Sequence, residues 1–344
     1  MDLSRLPDRD AAPAAIASQA GPMPAGGARA VLDASVVAAQ RGCPATLAVV
    51  LETSGSTYVR AGALALFDSD GAQVGWLSGG CLEPEIARRA EAAARAERID
   101  FMEIDTRFDE DLLSGSAVGC RGRLRVALLP LAALRDWCAH VAAWRAGDAL
   151  RLCVHRDGAV EVATGADAGT HRLSAETPPW PDAQSRWSLT WPAAPSVIVF
   201  GAGPETPFLL PMLRALGATI TLVERRPRWS GAGALADHAP ALTPTQALGV
   251  ATRRHDVALV MHHNFELDRE ALHALAAAPI GFVGLLGPLR RRDDLFRVLP
   301  ADAREALLPR LHSPVGLHLG GSGPEAIALS IAAQLQRHLH GADA

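Results

Sequence analysis

The sequence predicts an α/β protein with two domains, and three observations lead to this prediction. Its 344 residues, 49% of them hydrophobic, are enough to fill two separate cores. Residues 196–224 follow the strand, glycine turn, helix and strand order of a β-α-β unit. Residues 164–195 interrupt the apolar pattern with prolines and small polar residues. We therefore expect a disordered tail over 1–27, a mixed α/β domain over 28–163, a proline-rich linker over 164–195, and a doubly wound parallel sheet over 196–340.

Composition restricts the classes of function. A net charge of -4 gives no general attraction to nucleic acid or to anionic lipid. The five cysteines are odd in number and form no CxxC pair, which argues against a disulfide framework and against a zinc ribbon. The first residues lack the apolar core of a signal peptide, and no apolar run reaches the length of a membrane span. We expect a cytoplasmic protein that binds neither nucleic acid nor a membrane.

The first domain begins with a helix over 28–41, ended by Gly42. The apolar runs 46–51 and 63–67 predict strands, and an Asp-Gly turn leads from the second into 74–77. Further along the chain, the sequence predicts a helix over 86–96, strands over 99–104 and 123–129, a helix over 131–145, and a hairpin of 150–155 with 159–162.

A glycine-rich turn places Cys81 directly after Gly79 and Gly80 and before a helix. Unpaired amides and the helix dipole at such a place stabilise a thiolate, and the glycines allow a ligand to approach closely. A second cysteine, Cys120, follows Gly119 and precedes Arg121. Each cysteine is therefore a candidate for reactive or ligand-binding chemistry, and a buried cysteine without function is the alternative at Cys81.

The loop 52–60 between the first two strands is rich in hydroxyl groups and ends in an arginine. Backbone amides and hydroxyls, with Ser56 and Thr57 among them, could cradle an oxyanion while Arg60 supplies charge. The loop does not match the phosphate-binding P-loop pattern. An ordinary polar loop is the alternative.

The second domain has the signature of a Rossmann-type unit. Gly201 and Gly203 follow the strand 196–200, and Glu224 ends the next strand, 21 residues after Gly203, where such folds hold a ribose. However, Thr206 replaces the third glycine and Glu205 would face a phosphate. The pattern leaves two alternatives, NAD(P) binding and a cleft that is empty or used differently.

Two further groups follow later strands of this sheet. The strand 256–261 ends at His262 and His263, and a carboxyl end in such a sheet faces the ligand crevice. Three arginines, Arg290 to Arg292, follow the strand 280–286 and could bind phosphate or form a solvated helix face. The glycine-rich segment 313–321 is expected to line the same cleft before a final helix over 324–339.

Taken together, these motifs resemble the XdhC/CoxI family, the accessory proteins of xanthine dehydrogenase and related molybdenum hydroxylases. The resemblance covers most of residues 30–338 and includes the motifs at 55–62, 75–83, 119–120, 201–203, 284–287 and 313–317. It implies an XdhC-type N-terminal domain and a Rossmann-type C-terminal domain. It also implies a chaperone that binds molybdenum cofactor (molybdopterin), assists its sulfuration, and inserts it into a xanthine dehydrogenase-type enzyme.

The resemblance implies an accessory protein rather than a catalyst, with a cysteine desulfurase and a molybdenum hydroxylase as partners and a homodimer as the assembly. Cys81 and Cys120 are then the sulfur-bearing residues, with Cys81 the candidate contact to molybdenum. An NAD(P)-dependent oxidoreductase is the alternative function, based on the C-terminal domain. The residues predicted to contact a cofactor in one domain or the other are Ser56, Thr57, Arg60, Gly79, Gly80, Cys81, Gly119, Cys120, Gly201, Gly203, Glu224, His263 and Arg290.

Overall fold

The structure, a computed structural model, describes residues 27–80, 82–106, 122–175, 178, 180, 184–249 and 255–341. The tail expected over 1–27 lies outside these ranges except for its last residue. The helices are α1 (Ala28–Arg41), α2 (Glu83–Ala96), α3 (Trp137–Ala146), α4 (Thr206–Ala215), α5 (Pro244–Gly249), α6 (Phe265–Ala276), α7 (Leu289–Val298), α8 (Ala301–Leu307) and α9 (Pro324–His340). The strands of the first domain are β1 (Ala45–Gly55), β2 (Leu64–Asp68), β3 (Gln73–Val74), β4 (Arg98–Asp105), β5 (Gly122–Pro130), β6 (Leu150–His155), β7 (Ala159–Thr164), β8 (Asp167–Arg172), β9 (Ser174–Ala175) and β10 (Arg186–Trp191). Those of the second are β11 (Ser196–Phe200), β12 (Thr219–Val223), β13 (Val257–Val260), β14 (Phe282–Leu285) and β15 (Leu311–His312).

A six-stranded sheet in the order β3-β2-β1-β5-β4-β9 is the centre of the first domain. Its strands pair antiparallel except for β4 with β9. Helix α2 packs on one face through Ile86, Ala90 and Ala93, while α1, α3 and a second sheet cover the other face. Because both faces are covered, the first seven residues of β1 are all buried, and all of them except Thr46 are apolar, so the sequence does not alternate.

The second sheet of this domain has four antiparallel strands in the order β10-β6-β7-β8. Strands β8, β9 and β10 come from the segment that the sequence analysis assigned to a linker, so the structure differs from that expectation. The side chains of Trp180, Trp187 and Trp191 lie in the core of the first domain. Strand β8 is a largely exposed edge strand and β10 buries only alternate residues, so neither has the long apolar run typical of a buried strand.

The second domain confirms the doubly wound parallel sheet. Its strands run in the order β12-β11-β13-β14-β15, all parallel. Thr221 of β12 also forms an isolated parallel bridge with His238, which occupies the position of a further strand outside β12. With that bridge counted, the order is the one typical of dinucleotide-binding folds. Helices α4 and α9 cover one face, and α5 to α8 cover the other.

Helix α1 connects the two domains. Its apolar side packs on the first sheet, while the buried Arg29 donates to the carbonyl of Ala218 and forms an ion pair with Asp237 in the second domain. The Asp237 carboxylate also accepts from the amide of Ile220 at 2.8 Å.

Most predicted elements are present with small changes of length. Helix α1 and strands β11 and β12 have the predicted bounds, while β1 continues four residues beyond Leu51. Helix α3 begins only at Trp137, after a short 3-10 turn, because Asp136 adopts a left-handed conformation with φ 61°. No helix within the described ranges has the length and apolar character required to cross a membrane.

Candidate functional site

The glycine turn after β11 lies directly against the residues that follow β13. Gly201 has φ +90°, and a Cβ atom there would lie 2.5 Å from the Cα atom of His262. A Cβ atom at Gly203 would lie 2.6 Å from Oε1 of Glu205 and 2.7 Å from Nε2 of His263. Both glycines are therefore required because other groups of the protein approach the turn this closely.

An ion pair between Glu205 and His263 covers the turn. The Glu205 carboxylate is buried, with 2% of its side chain exposed, and its Oε1 lies 3.1 Å from Nε2 of His263. The hydrogen bond to Glu205 raises the pKa of His263, although burial opposes the shift. His263 itself is half exposed and has φ 53°. The turn that cradles a pyrophosphate in a dinucleotide-binding fold here lies beside a carboxylate of the protein.

Glu224 is also bonded within the protein. Its carboxylate accepts from the amides of Ala202 and Arg226, each at 2.7 Å, and from the Arg226 guanidinium at 2.6 Å. Burial by itself would raise the pKa of Glu224, but the hydrogen bonds from Arg226 and from the Ala202 amide hold it below its ordinary value. Arg226 also donates to the carbonyls of Ala202 and His262, so it contacts the residues that follow the three strands β11, β12 and β13. The carboxylate that would hold a ribose already has partners.

A third buried network lies beneath the histidines. His262 Nδ1 is 3.0 Å from Oδ1 of Asp268, and Nε of Arg291 donates to the other Asp268 oxygen at 3.2 Å. Arg291 is thus the arginine of the predicted triplet that faces this edge of the sheet. Arg290, the predicted cofactor contact, has 92% of its side chain exposed and lies 3.8 Å from Asp294 one helical turn away.

The structure therefore brings Gly201, Gly203, Glu224 and His263 together, as their positions at the carboxyl ends of parallel strands predict. Arg226 was not among the predicted site residues, although it lies two residues after Glu224 and is the main partner of that carboxylate. An arginine so soon after a strand-end carboxylate was a usable signal. At this edge, the charges neutralise one another in pairs, and the side chain of His263 is more exposed than those of Arg226 and Arg291.

A cavity of about 400 Å³ lies at the carboxyl end of β14. It is lined by Leu286 to Pro288, by Pro314, Val315 and the segment from Leu317 to Ser322, and by Ala326, Ile327 and Ser330 of α9. The glycine-rich lead-in to α9 thus lines a cavity beside the strand ends.

In the first domain, a buried carboxylate anchors the glycine-rich turn. Glu83 begins α2, has 5% of its surface exposed, and accepts from the amides of Leu77 at 3.2 Å and Ser78 at 2.8 Å. It also accepts from the Ser78 hydroxyl, which in turn accepts from the Leu82 amide. Burial opposes ionisation, yet the hydrogen bonds from Ser78 hold the pKa of Glu83 below its ordinary value. The sequence gave no indication of this network.

Gly79 and Gly80 are exposed, and a Cβ atom on either would have no other group of the described residues within 4 Å. The turn is therefore fixed from inside by Glu83 and open on its outer side. Cys81 is the next residue in the sequence and lies outside the described residues, as do Gly119 and Cys120.

The hydroxyl-rich loop packs onto the start of β5. A Cβ atom at Gly122 would lie 2.4 Å from the carbonyl oxygen of Ser56 and 2.5 Å from Cγ2 of Thr57. The Thr57 hydroxyl donates to the carbonyl of Val59 at 2.6 Å, so its proton is already used. The side chains of Ser56 and Arg60 are exposed to solvent.

Two parts of the chain match known sequence families. Residues 38–105 match the sequence family described as the XdhC and CoxI family, and residues 197–335 match the XdhC Rossmann domain. In Bacillus subtilis, a protein described as a probable subunit of xanthine dehydrogenase is 27% identical over 317 residues, covering 85% of this chain and 92% of that protein. A crystal structure of a xanthine dehydrogenase from Bacillus halodurans superposes with a TM-score of 0.73 at 28% identity, covering 90% of this chain and 96% of that one. The uncharacterized protein YqeB of Escherichia coli is 40% identical over 70 residues, which are 20% of this chain and 13% of that protein.

Proposed function

Since this chain belongs to the XdhC and CoxI family, we propose that it is an accessory protein of a xanthine dehydrogenase-type molybdenum hydroxylase. In this proposal it binds molybdenum cofactor as cargo, assists the sulfuration of the metal centre, and delivers the cofactor to the apo-enzyme. A cysteine desulfurase supplies the sulfur, and the protein acts in the cytoplasm as a homodimer.

The observation that best supports this proposal is the turn anchored by Glu83. A cargo-binding site must present its ligands in a fixed arrangement and leave them open to a partner. Buried hydrogen bonds hold Leu77 and Ser78, while Gly79 and Gly80 are exposed, and no other described residue comes within 4 Å of a Cβ atom placed on either. We propose that Cys81, the next residue, contacts molybdenum or the transferred sulfur, because thiolates are suitable ligands for soft metals.

The anionic tail of the cofactor needs donors of a different kind. We assign this role to Arg60 and to the Ser56 hydroxyl, both of which are exposed on the loop after β1. Thr57 is left with only acceptor capacity, because its proton is bonded to Val59. Cys120 and Gly119 are proposed as the second half of this site on the basis of the sequence motif.

The alternative, an NAD(P)-dependent oxidoreductase, is favoured by the strand order of the second domain. Two features reduce support for it. The Glu224 carboxylate is bonded to Ala202 and Arg226, and the Glu205 carboxylate lies beside the glycine turn. To bind there, a dinucleotide would have to break the hydrogen bonds that Glu224 accepts from Ala202 and Arg226, and it would have to tolerate the charge of Glu205.

Purification from molybdenum-replete cells, followed by oxidation of the released pterin and fluorescence detection, tests the proposal. Wild-type protein is expected to carry pterin, and Cys81→Ala to carry several-fold less. Cys43→Ala is the matched control, because Cys43 is a free, partly exposed cysteine outside this turn. If wild type, Cys81→Ala and Cys43→Ala all yield the same amount of pterin, the proposed role of Cys81 is contradicted. If wild-type protein yields no pterin, cofactor binding itself is contradicted.

Two further measurements separate the alternatives. Titration with NADH and NADPH, followed by nucleotide fluorescence, is expected to show no saturable binding. Saturable binding that disappears in Glu224→Ala supports the oxidoreductase instead. Incubation with a cysteine desulfurase and free cysteine, followed by mass spectrometry, tests whether sulfur is held as a persulfide on Cys81 or Cys120.

A further inference from the structure

The solvent-facing side of the second sheet carries a group of three side chains outside the sites described above. Cys153 and His155 are two residues apart on β6, so they project from the same face. Glu161 lies on β7 directly opposite Cys153 in the antiparallel register. The two strands thus place a thiol, an imidazole and a carboxylate side by side.

The distances between the three ligand atoms suit a tetrahedral metal ion. The Sγ atom of Cys153 lies 3.5 Å from Nε2 of His155, and that nitrogen lies 3.0 Å from Oε1 of Glu161. All three ligand atoms lie within 4.8 Å of one another. A zinc ion with bonds of about 2.3 Å to sulfur and about 2.0 Å to nitrogen holds these two atoms about 3.5 Å apart at the tetrahedral angle.

The chemistry of the donors selects the metal. One soft thiolate with one imidazole and one carboxylate is typical of zinc and unlike the oxygen-only sites of calcium and magnesium. Cys153 is partly buried and His155 is one-quarter exposed, so the strand holds both donors in place. Glu161 is half exposed and has the freedom to close on an ion.

We propose that Cys153, His155 and Glu161 form a zinc site that joins strands β6 and β7. Three protein ligands leave the fourth tetrahedral position for water. Binding releases the Cys153 thiol proton to solvent. The proton that Nε2 of His155 donates to Glu161 also leaves that nitrogen, and the neutral ring then carries its one proton on Nδ1. Sγ, Nε2 and a carboxylate oxygen bond to the ion in place of the hydrogen bond between His155 and Glu161. The ion stabilises the hairpin of the second sheet, and this role is independent of cofactor delivery.

Cobalt substitution tests the site, because Co²⁺ bound to a thiolate gives a near-ultraviolet charge-transfer band and tetrahedral Co²⁺ gives intense visible bands. Metal-free full-length protein is titrated with Co²⁺, and Zn²⁺ is then added as competitor. We expect one Co²⁺ per chain with both sets of bands, and displacement by one Zn²⁺. We also expect Zn²⁺ to raise the melting temperature.

Matched variants identify the ligands. Cys153→Ser is expected to abolish the charge-transfer band, and Glu161→Gln to weaken Co²⁺ binding by at least about tenfold. Cys43→Ser and Cys138→Ser, which change the other free cysteines of the described residues, are expected to leave the spectrum unchanged. Circular dichroism of each metal-free variant checks folding. An absence of stoichiometric binding, or an unchanged charge-transfer band in Cys153→Ser, overturns the proposal.

Discussion

Replacing Glu83 with glutamine tests whether the buried carboxylate holds the glycine-rich turn. Glutamine keeps the shape but removes the charge and one acceptor oxygen. The amides of Leu77 and Ser78 then donate to a neutral oxygen, and the Ser78 hydroxyl loses its acceptor. At about 1 kcal/mol for each weakened or lost bond, the free energy of unfolding is expected to fall by about 3 kcal/mol.

The effect has a predicted pH dependence. The folded-state pKa of Glu83 lies below its ordinary value of 4.5, so its stabilising contribution is present above that pH and is lost as the pH falls through the folded-state pKa. The difference between wild type and Glu83→Gln is therefore expected to be full near neutral pH and to shrink in acid. Urea denaturation at several pH values, followed by circular dichroism, measures it.

Glu85→Gln is the matched control, since Glu85 lies in the same helical turn but is exposed and bonded to Arg88. It is expected to leave the stability of the protein unchanged. Glu83→Gln should in addition lower the yield of bound pterin, because the exposed glycines lose their support. If Glu83→Gln unfolds like wild type near neutral pH, or if its deficit persists undiminished in acid, then the carboxylate does not hold the turn.

Three further predictions concern the second domain and its contact with the first. Glu205→Gln is expected to return the pKa of His263 towards 6.5, which NMR titration of the imidazole measures. The variant is also expected to lack the loss of stability that wild type shows as the pH rises through the raised pKa of His263. An unchanged pKa would show that the pair of Glu205 and His263 is not formed. Gly201→Ala, with a positive φ and a Cβ atom 2.5 Å from the His262 backbone, is expected to lower the free energy of unfolding by about 3 kcal/mol or more. Gly79→Ala, whose Cβ atom would meet no other described residue within 4 Å, is expected to fold like wild type. Thermal melts of the two variants decide this. Arg29→Ala is expected to lower the free energy of unfolding by about 3 kcal/mol, because it leaves the partly buried Asp237 without its main cation, and Arg88→Ala on an exposed helix face is the control.

Periodicity and turn chemistry predicted the elements whose signals are local. Helix α1 and strands β11 and β12 have the expected bounds because apolar runs and glycine stops mark their ends. The strands within 164–195 could not be predicted in this way. Strand β8 is a largely exposed edge strand, and its pairing with β7 depends on the register set by the neighbouring hairpin.

The candidate site shows a similar division. The topology of a parallel sheet was enough to bring Gly201, Gly203, Glu224 and His263 to one edge. It did not indicate which side chains bond to one another. The contact of Arg226 with Glu224 and that of Glu83 with Ser78 depend on rotamers and burial, which sequence spacing does not encode. Arg290 and Arg291 are adjacent in sequence but point to different sides of α7. Arg290 is therefore exposed to solvent, whereas Arg291 is bonded to Asp268.

The contact made by Arg29 bears on how the chain can be divided for study. A fragment that begins at Ser196 would contain a complete parallel sheet, yet the Ala218 carbonyl and the Asp237 carboxylate would be left without their guanidinium. A fragment that ends at Trp191 would expose that guanidinium and the adjoining surface of α1. Each fragment, expressed alone, should be less soluble than the full-length chain. Mixing the two fragments should restore a complex held by Arg29 and the surface around it.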